Sequence, residues 1–435
     1  MKHLILSLLI FWVAPAQAQI AIQEVTSPGG INAWLVEEHS IPFTALEISF
    51  KGGAALEAEG KRGAIAMMTW LLEDSGGALD SKAFAEARER LATSFSFDVD
   101  DDTISVSAKF LTENRDEAVD LLKMALISPR FDQEDFDRLH GQLLSFLRSR
   151  ETDPEVLSEA TFDALAFPNH PYGVYYGGTL ESAPNLTRAD ILEAYTRAIA
   201  RDRLYVAAVG DITAEELGQL LDNLLGALPE TGAPQPERVE YALGPGVTVV
   251  DFDSPQSVVQ FGQPGIAFED PDYLVAYVLN TILGGSGLST RLMDELREKR
   301  GLTYGVRTHL IPLFVGEEII GYFSSSNDKV AEAIELVREE WAKIAGQGVT
   351  AEELADAKTY LTGAYPLRFD GNGPIARIMV NMQMDNQPIE YIAERNDLIN
   401  AITLDEINRV AARIYQPDAL HFVVVGRPEG LESTP

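Results

Sequence analysis

Residues 283–306 read LGGSGLSTRLMDELREKRGLTYGV. Gly284, Gly285, Ser286 and Gly287 form a loop with almost no side chain to stiffen it, and the pattern after it is helical. Leu292 and Leu296 are one turn apart and share a face, while Glu295, Glu298 and Lys299 fall largely on the others. This spacing predicts a helix over 290–299, stopped by Gly301, and a strand from about Leu302. Arg297 then lies in the last helical turn and Tyr304 two residues into the strand. A Gly turn that folds the strand back brings a guanidinium fork and a phenol toward one substrate carbonyl. Read alone, Arg297 equally suits a helix-end cation favoured by the dipole, and Tyr304 a half-buried strand aromatic. The glycine loop lacks the Gly-Lys-Ser/Thr ending of a phosphate-binding loop, which argues against a nucleotide there.

Leu296, Arg297 and Tyr304 meet the pattern LR-x₆-Y, and with the preceding loop and helix they resemble the C-terminal domain of the pitrilysin/insulinase-type zinc peptidases. The resemblance implies a duplicated metallopeptidase-like fold of two homologous α+β half-shell domains. It further implies that Arg297 and Tyr304 bind substrate backbone, and that Gly284 to Gly287 lie at a chamber wall touching substrate. Active members carry His-x-x-Glu-His on the first helix of the N-terminal domain. There two histidines one turn apart hold zinc and the glutamate acts as general base. Here the helix after Gly63 places Ala66 and Trp70 at the histidine positions and Thr69 at the base. The more distant ligand position falls at Phe146 or Leu147, and 141–150 contain no acidic residue. Ala66, Met67, Trp70 and Leu71 read instead as an apolar helix face. No metal is therefore expected in this chain, and the chain resembles the non-catalytic half of the family's heterodimeric members, with zinc in the partner subunit. His39, His140, His170, His309 and His421 are too scattered in sequence to rebuild the motif.

Compared with itself, the chain repeats. Thr187, Ile191, Asp202, Leu204, Val209 and Gly210 recur without a gap as Thr403, Ile407, Asp418, Leu420, Val425 and Gly426. In each copy a threonine suits the N-cap of a helix, and an apolar strand follows (YVAAVG, then HFVVVG). Val330, Ile334, Val337, Trp341 and Ile344 recur at helical steps, and 103–107 alternate as a half-buried strand does. Between the copies, prolines at 229, 234, 236 and 245 predict an extended linker, the expected place for a hinge. The expected organisation is a segment 1–18, a domain over 19–228, a linker over 229–245 and a domain over 246–435. Helices and strands in runs, without strict alternation, indicate α+β.

Composition sets the remaining bounds. At 46% hydrophobic the 435 residues can bury two cores, and zero cysteines excludes disulfides, thiolate catalysis and Cys-ligated zinc. A formal charge of −33 argues against nucleic acid. Lys2 and His3, the apolar run 4–13 and Ala16-Gln17-Ala18 have the order of a cleavable secretory signal, cut after Ala18. The apolar run is too short to span a membrane. The chain is thus expected to be exported, most simply to a periplasm, and not inserted in a membrane. Its expected role is that of a substrate-orienting partner to a homologous His-x-x-Glu-His peptidase subunit. The alternative is a peptide-binding or scaffolding module of the cell envelope without proteolysis.

Overall fold

The computed structural model describes residues 20–434, apart from 286 and 288. The expected export segment 1–18 and Ser286 lie outside the described residues. The strands are β1 (Gln23–Thr26), β2 (Asn32–Glu37), β3 (Phe43–Lys51), β4 (Ser94–Val99), β5 (Thr103–Leu111) and β6 (Leu204–Gly210). There follow β7 (Gly246–Asp251), β8 (Gln256–Pro264), β9 (Val306–Ile311), β10 (Glu318–Ser326) and β11 (His421–Gly426). They form two sheets, ordered β1-β2-β6-β3-β5-β4 and β7-β11-β8-β10-β9. Apart from the extra edge strand β1, the second order repeats the first. The senses agree too: β2–β6 and β7–β11 are parallel and the other neighbours antiparallel. Runs of helices and strands with two mixed sheets make the fold α+β.

Local chemistry explains the elements. Along β5 the alternation buries Ile104, Val106, Ala108 and Phe110 on one face. The Val330–Gln347 helix buries Val330, Ile334, Val337, Trp341 and Ile344, and Trp341 donates its indole N–H to Gln263 Oε1 at 2.6 Å. Thr187 and Thr403 each cap a helix: the hydroxyl accepts from the backbone of Asp190 or Glu406, whose carboxylate bonds back to the cap.

β11 is buried along its whole length, which a sheet with one wet face would not allow. The Pro154–Ala166 helix of the first unit lies on β8 and β11, setting Phe162 and Ala166 against Val423 and Val425. In return the Asn372–Met384 helix of the second unit covers β3 and β6, setting Met379 and Val380 against Trp34, Ala207 and Val209. Each sheet is therefore roofed by the other unit's helix. Between Leu225 and Gly246 no regular element forms, yet the segment is fastened to both units. Val239 N–H donates to Val315 O at 2.7 Å, Ala242 N–H donates to Ala166 O at 2.8 Å, and Tyr241 sits against Phe162 and Phe167. The expected linker thus touches both units in this structure. Among the described residues no helix is long and apolar enough to cross a membrane.

Candidate functional site

The helix expected to carry the family's metal spans Ala64–Asp74. Ala66 and Thr69 are fully buried, and the Thr69 hydroxyl donates to Ile65 O at 2.9 Å. Trp70 packs partly buried against the first unit's core. On the Gln133–Arg150 helix, Leu147 is buried and Phe146 is half exposed with the Arg150 guanidinium 5.8 Å from its ring. None of these side chains offers a zinc donor, since the one oxygen among them is already bonded within its helix. Among the described residues no three His, Asp or Glu side chains gather as a metal site. The residues present at these positions do not fit the metal that the fold implies.

The Arg/Tyr arm is built differently from its expectation. Residues 291–292 begin a helix, but Met293–Glu298 wind as a π-helix, with Lys299 N–H reaching Asp294 O at 2.9 Å. Such wide turns are rare and concentrate at functional sites. Leu292 and Leu296 are fully buried, so the arm is anchored through the face they share. Gly301, at φ 61, ends it. The expected strand from Leu302 does not form: β9 starts at Val306, and Tyr304 stands in the loop before it. The cause is local. The Leu302 carbonyl accepts from Ser325 Oγ at 2.6 Å, and the Thr303 hydroxyl donates to Gly305 O while accepting from Gly305 N–H. Side chains thus use the backbone groups a ladder would need. Tyr304 is in consequence 90% exposed rather than half-buried. The Arg297 side chain is 39% exposed, its Nε 3.5 Å from a Glu298 oxygen. That contact is at the surface and weak.

Tyr304 lines a cleft of about 760 Å³ between the Pro154–Ala166 helix and the face of β8 and β10. Opposite it the cleft is acidic, with Glu159 and Asp163 from the helix and Glu318 from β10. Glu318 is 6% exposed, and its Oε2 has no hydrogen-bond partner. Burial first, then the charge of Glu159, pushes its carboxyl up to about 8. Burial, then Glu318 and Glu159, pushes Asp163 up to about 9, with Arg150 pulling weakly the other way. Carboxyls in that condition hold protons at neutral pH. Sequence reading missed all three; the i, i+4 pair Glu159 and Asp163 was the available signal, but nothing local reveals Glu318 opposite.

In the glycine loop, Gly284 and Gly285 are held closely. Gly284 O accepts from Thr308 N–H at 2.7 Å, and a Cβ at Gly284 would come within 2.6 Å of Thr308 Oγ1. Asn280 and Thr308 clasp each other there: the amide donates to the Thr308 carbonyl at 3.0 Å and accepts from its hydroxyl at 2.7 Å. Gly287 (φ 149) is described, whereas Ser286 is outside the described residues.

Residues 185–361 match the family described as the peptidase M16 inactive domain. A non-peptidase homologue, YmxG, from Helicobacter pylori is 26% identical over 426 residues, 98% of each chain. An uncharacterised zinc protease of Mycobacterium leprae is 25% identical over 92% of this chain and 90% of its own. A probable mitochondrial-processing peptidase β subunit from Schizosaccharomyces pombe is 25% identical over 66% of this chain and 65% of its own. Among solved structures, the peptidase M16 inactive domain of Pseudomonas fluorescens superposes with a TM-score of 0.88 at 25% identity, covering 95% of this chain and all of that one. A Helicobacter pylori protease shares the fold at a TM-score of 0.84 and 18% identity, over 93% of this chain and 99% of that one.

Proposed function

From the premise that the chain is an inactive, non-catalytic member of the M16 peptidase type, we propose that it is the substrate-orienting subunit of an exported heteromeric zinc metalloendopeptidase. Its partner on this reading is a homologous subunit bearing His-x-x-Glu-His and the zinc. The observation that carries it is one asymmetry: a metal helix with no donor atoms, alongside an arm that leaves Tyr304 bare to solvent. Tyr304 stands 90% exposed and lines the cleft, with its hydroxyl free to meet a ligand.

Arg297 donates charge-assisted hydrogen bonds to a peptide carbonyl or to the oxyanion developing from it, and the Tyr304 hydroxyl adds a second donor. Of the glycine loop, Gly287 is exposed and keeps the reading of a substrate-touching backbone, whereas Gly284 and Gly285 are buried against Thr308 and Thr281. Export through the segment 1–18 brings the chain to the periplasm. The alternative, a peptide-holding module without hydrolysis, draws on the same cleft, where the protonated carboxyls of Asp163 and Glu318 can donate hydrogen bonds to peptide carbonyls whether or not a bond is cut.

The test is co-expression with an exported homologue that keeps His-x-x-Glu-His. Peptide hydrolysis that needs both subunits, with zinc in the partner alone, is the expected result. Full activity from the partner by itself, or stoichiometric zinc on this chain, overturns the reading.

A further inference from the structure

A second cavity, of about 570 Å³, lies in the second unit among the Tyr273–Leu283, Ala351–Ala364 and Asn372–Met384 helices. Its size is that of a small-ligand site. Tyr273, Tyr277, Tyr365 and Tyr391 give its walls their character. Arg395, from the Tyr391–Ala401 helix, also lines it and is only 5% exposed. Its polar neighbours are distant: Leu361 O at 3.5 Å and Asn396 Oδ1 at 3.4 Å, the outer limit of a hydrogen bond. Among the described residues no carboxylate lies within ion-pair distance of it. The guanidinium instead stands 4.3 Å from the ring centre of Tyr365 and 5.8 Å from that of Tyr277.

Arg368 lines the same cavity, also without an ion pair among the described residues. Burial raises the hydroxyls of Tyr365 and Tyr391, and both guanidiniums pull each of them back, so two positive charges act at this end. The one carboxylate in the lining, Asp385, is pushed up to about 6 by burial. The charges acting on it are those of Lys51 and Glu269, not the arginines. This stands out in a chain with 67 acidic against 34 basic residues. Arginine cannot escape by losing its proton, and a buried charge without a counter-charge is costly.

We propose that this cavity is a binding site for a carboxylate on an aromatic or apolar body. Arg395 takes the carboxylate through its planar fork, Arg368 adds charge at the rim, and the body lies among the tyrosines. The inference is independent of the role given to Arg297 and Tyr304, and it stands if that role fails. A peptide C-terminus and a free aryl acid present the same chemistry.

The test titrates the full chain with 3-phenylpropanoate and its amide, and with the tripeptide Ala-Ala-Phe in free-acid and amidated forms. The acids are expected to bind at least tenfold tighter than their amides. Arg395→Gln is expected to weaken acid binding roughly tenfold to a hundredfold while leaving the amides unchanged, as loss of a charged hydrogen-bond partner does. Preference for both acids marks a peptide end as the source, and preference for the small acid alone marks a free carboxylate; either supports the site. Equal binding of acids and amides, or an acid preference that survives Arg395→Gln, overturns it. If Arg395→Gln does not fold, hydrogen exchange on the wild-type chain decides. The acid must then slow exchange in the Tyr391–Ala401 helix, and protection confined to other elements overturns the proposal.

Discussion

Thr69 donates its hydroxyl to the carbonyl of Ile65 across 2.9 Å, one turn back in the same fully buried stretch of helix. The position at which the family keeps a base is closed upon itself. Ala66, one turn from Trp70, is packed to zero exposure. Restoring a ligand there therefore means overpacking. Ala66→His is expected to cost ~1–3 kcal/mol, read as a lowered Tm or denaturant midpoint, and to recruit no stoichiometric zinc. A stable variant with bound zinc, measured by elemental analysis after dialysis, would show that the helix can still open a site.

Arg297→Ala and Tyr304→Phe act on exposed groups, so neither is expected to shift the Tm of the chain beyond ~0.5 kcal/mol in stability. In the assembled complex each is expected to lower kcat on the scale of an oxyanion donor, roughly 10²–10³-fold, with subunit association intact by size-exclusion chromatography. Wild-type turnover from both would remove them from the site.

Asp163 and Glu318 face one cleft with carboxyls at about 9 and about 8. Both lie above the unfolded carboxylate value of about 4. The folded state therefore holds protons that the unfolded state has released. The stabilisation they give is complete below about pH 4 and is lost as pH rises toward 9. Asp163→Asn with Glu318→Gln should flatten that decline and raise Tm most at pH 8–9. A pH–Tm profile parallel to wild type in the double variant would contradict the assignment.

At acid pH a different pair governs. Asp272, 8% exposed, takes hydrogen bonds from Arg409 at 2.7 and 3.0 Å and a further one from Arg413, which hold its carboxyl down to about 2. This contribution is present above about pH 4 and is lost as pH falls toward 2. Because the two arginine side chains are about half exposed, Asp272→Asn is expected to cost only ~1–2 kcal/mol at pH 7. The gap from wild type should close near pH 2, as acid-titrated denaturant midpoints can measure.

Much of the fold was legible from side-chain periodicity. Val330, Ile334, Val337, Trp341 and Ile344 announced a helix face, and all are buried. Thr187 and Thr403 announced helix starts, and both close capping boxes. These features are readable because helix and cap chemistry act within a few residues. Tyr304 was misplaced in a strand because one turn held by Thr303 and Gly305 outweighs strand propensity. Glu318 was unreadable as a site residue, since on β10 it is one acid among many until Asp163 is set opposite it.

By itself the sequence determined that this chain has no zinc-binding chemistry at Ala66, Thr69 and Trp70, because ligation depends on atoms those side chains lack. Residue type alone carries that conclusion, whatever the fold. Only the tertiary structure decided which ionisable groups stand without a counter-charge. Arg395 among tyrosines and Glu318 across from Asp163 are brought to their places by helices and strands far apart in sequence. The free energy of a buried charge depends on its neighbours in space, and no local pattern records them.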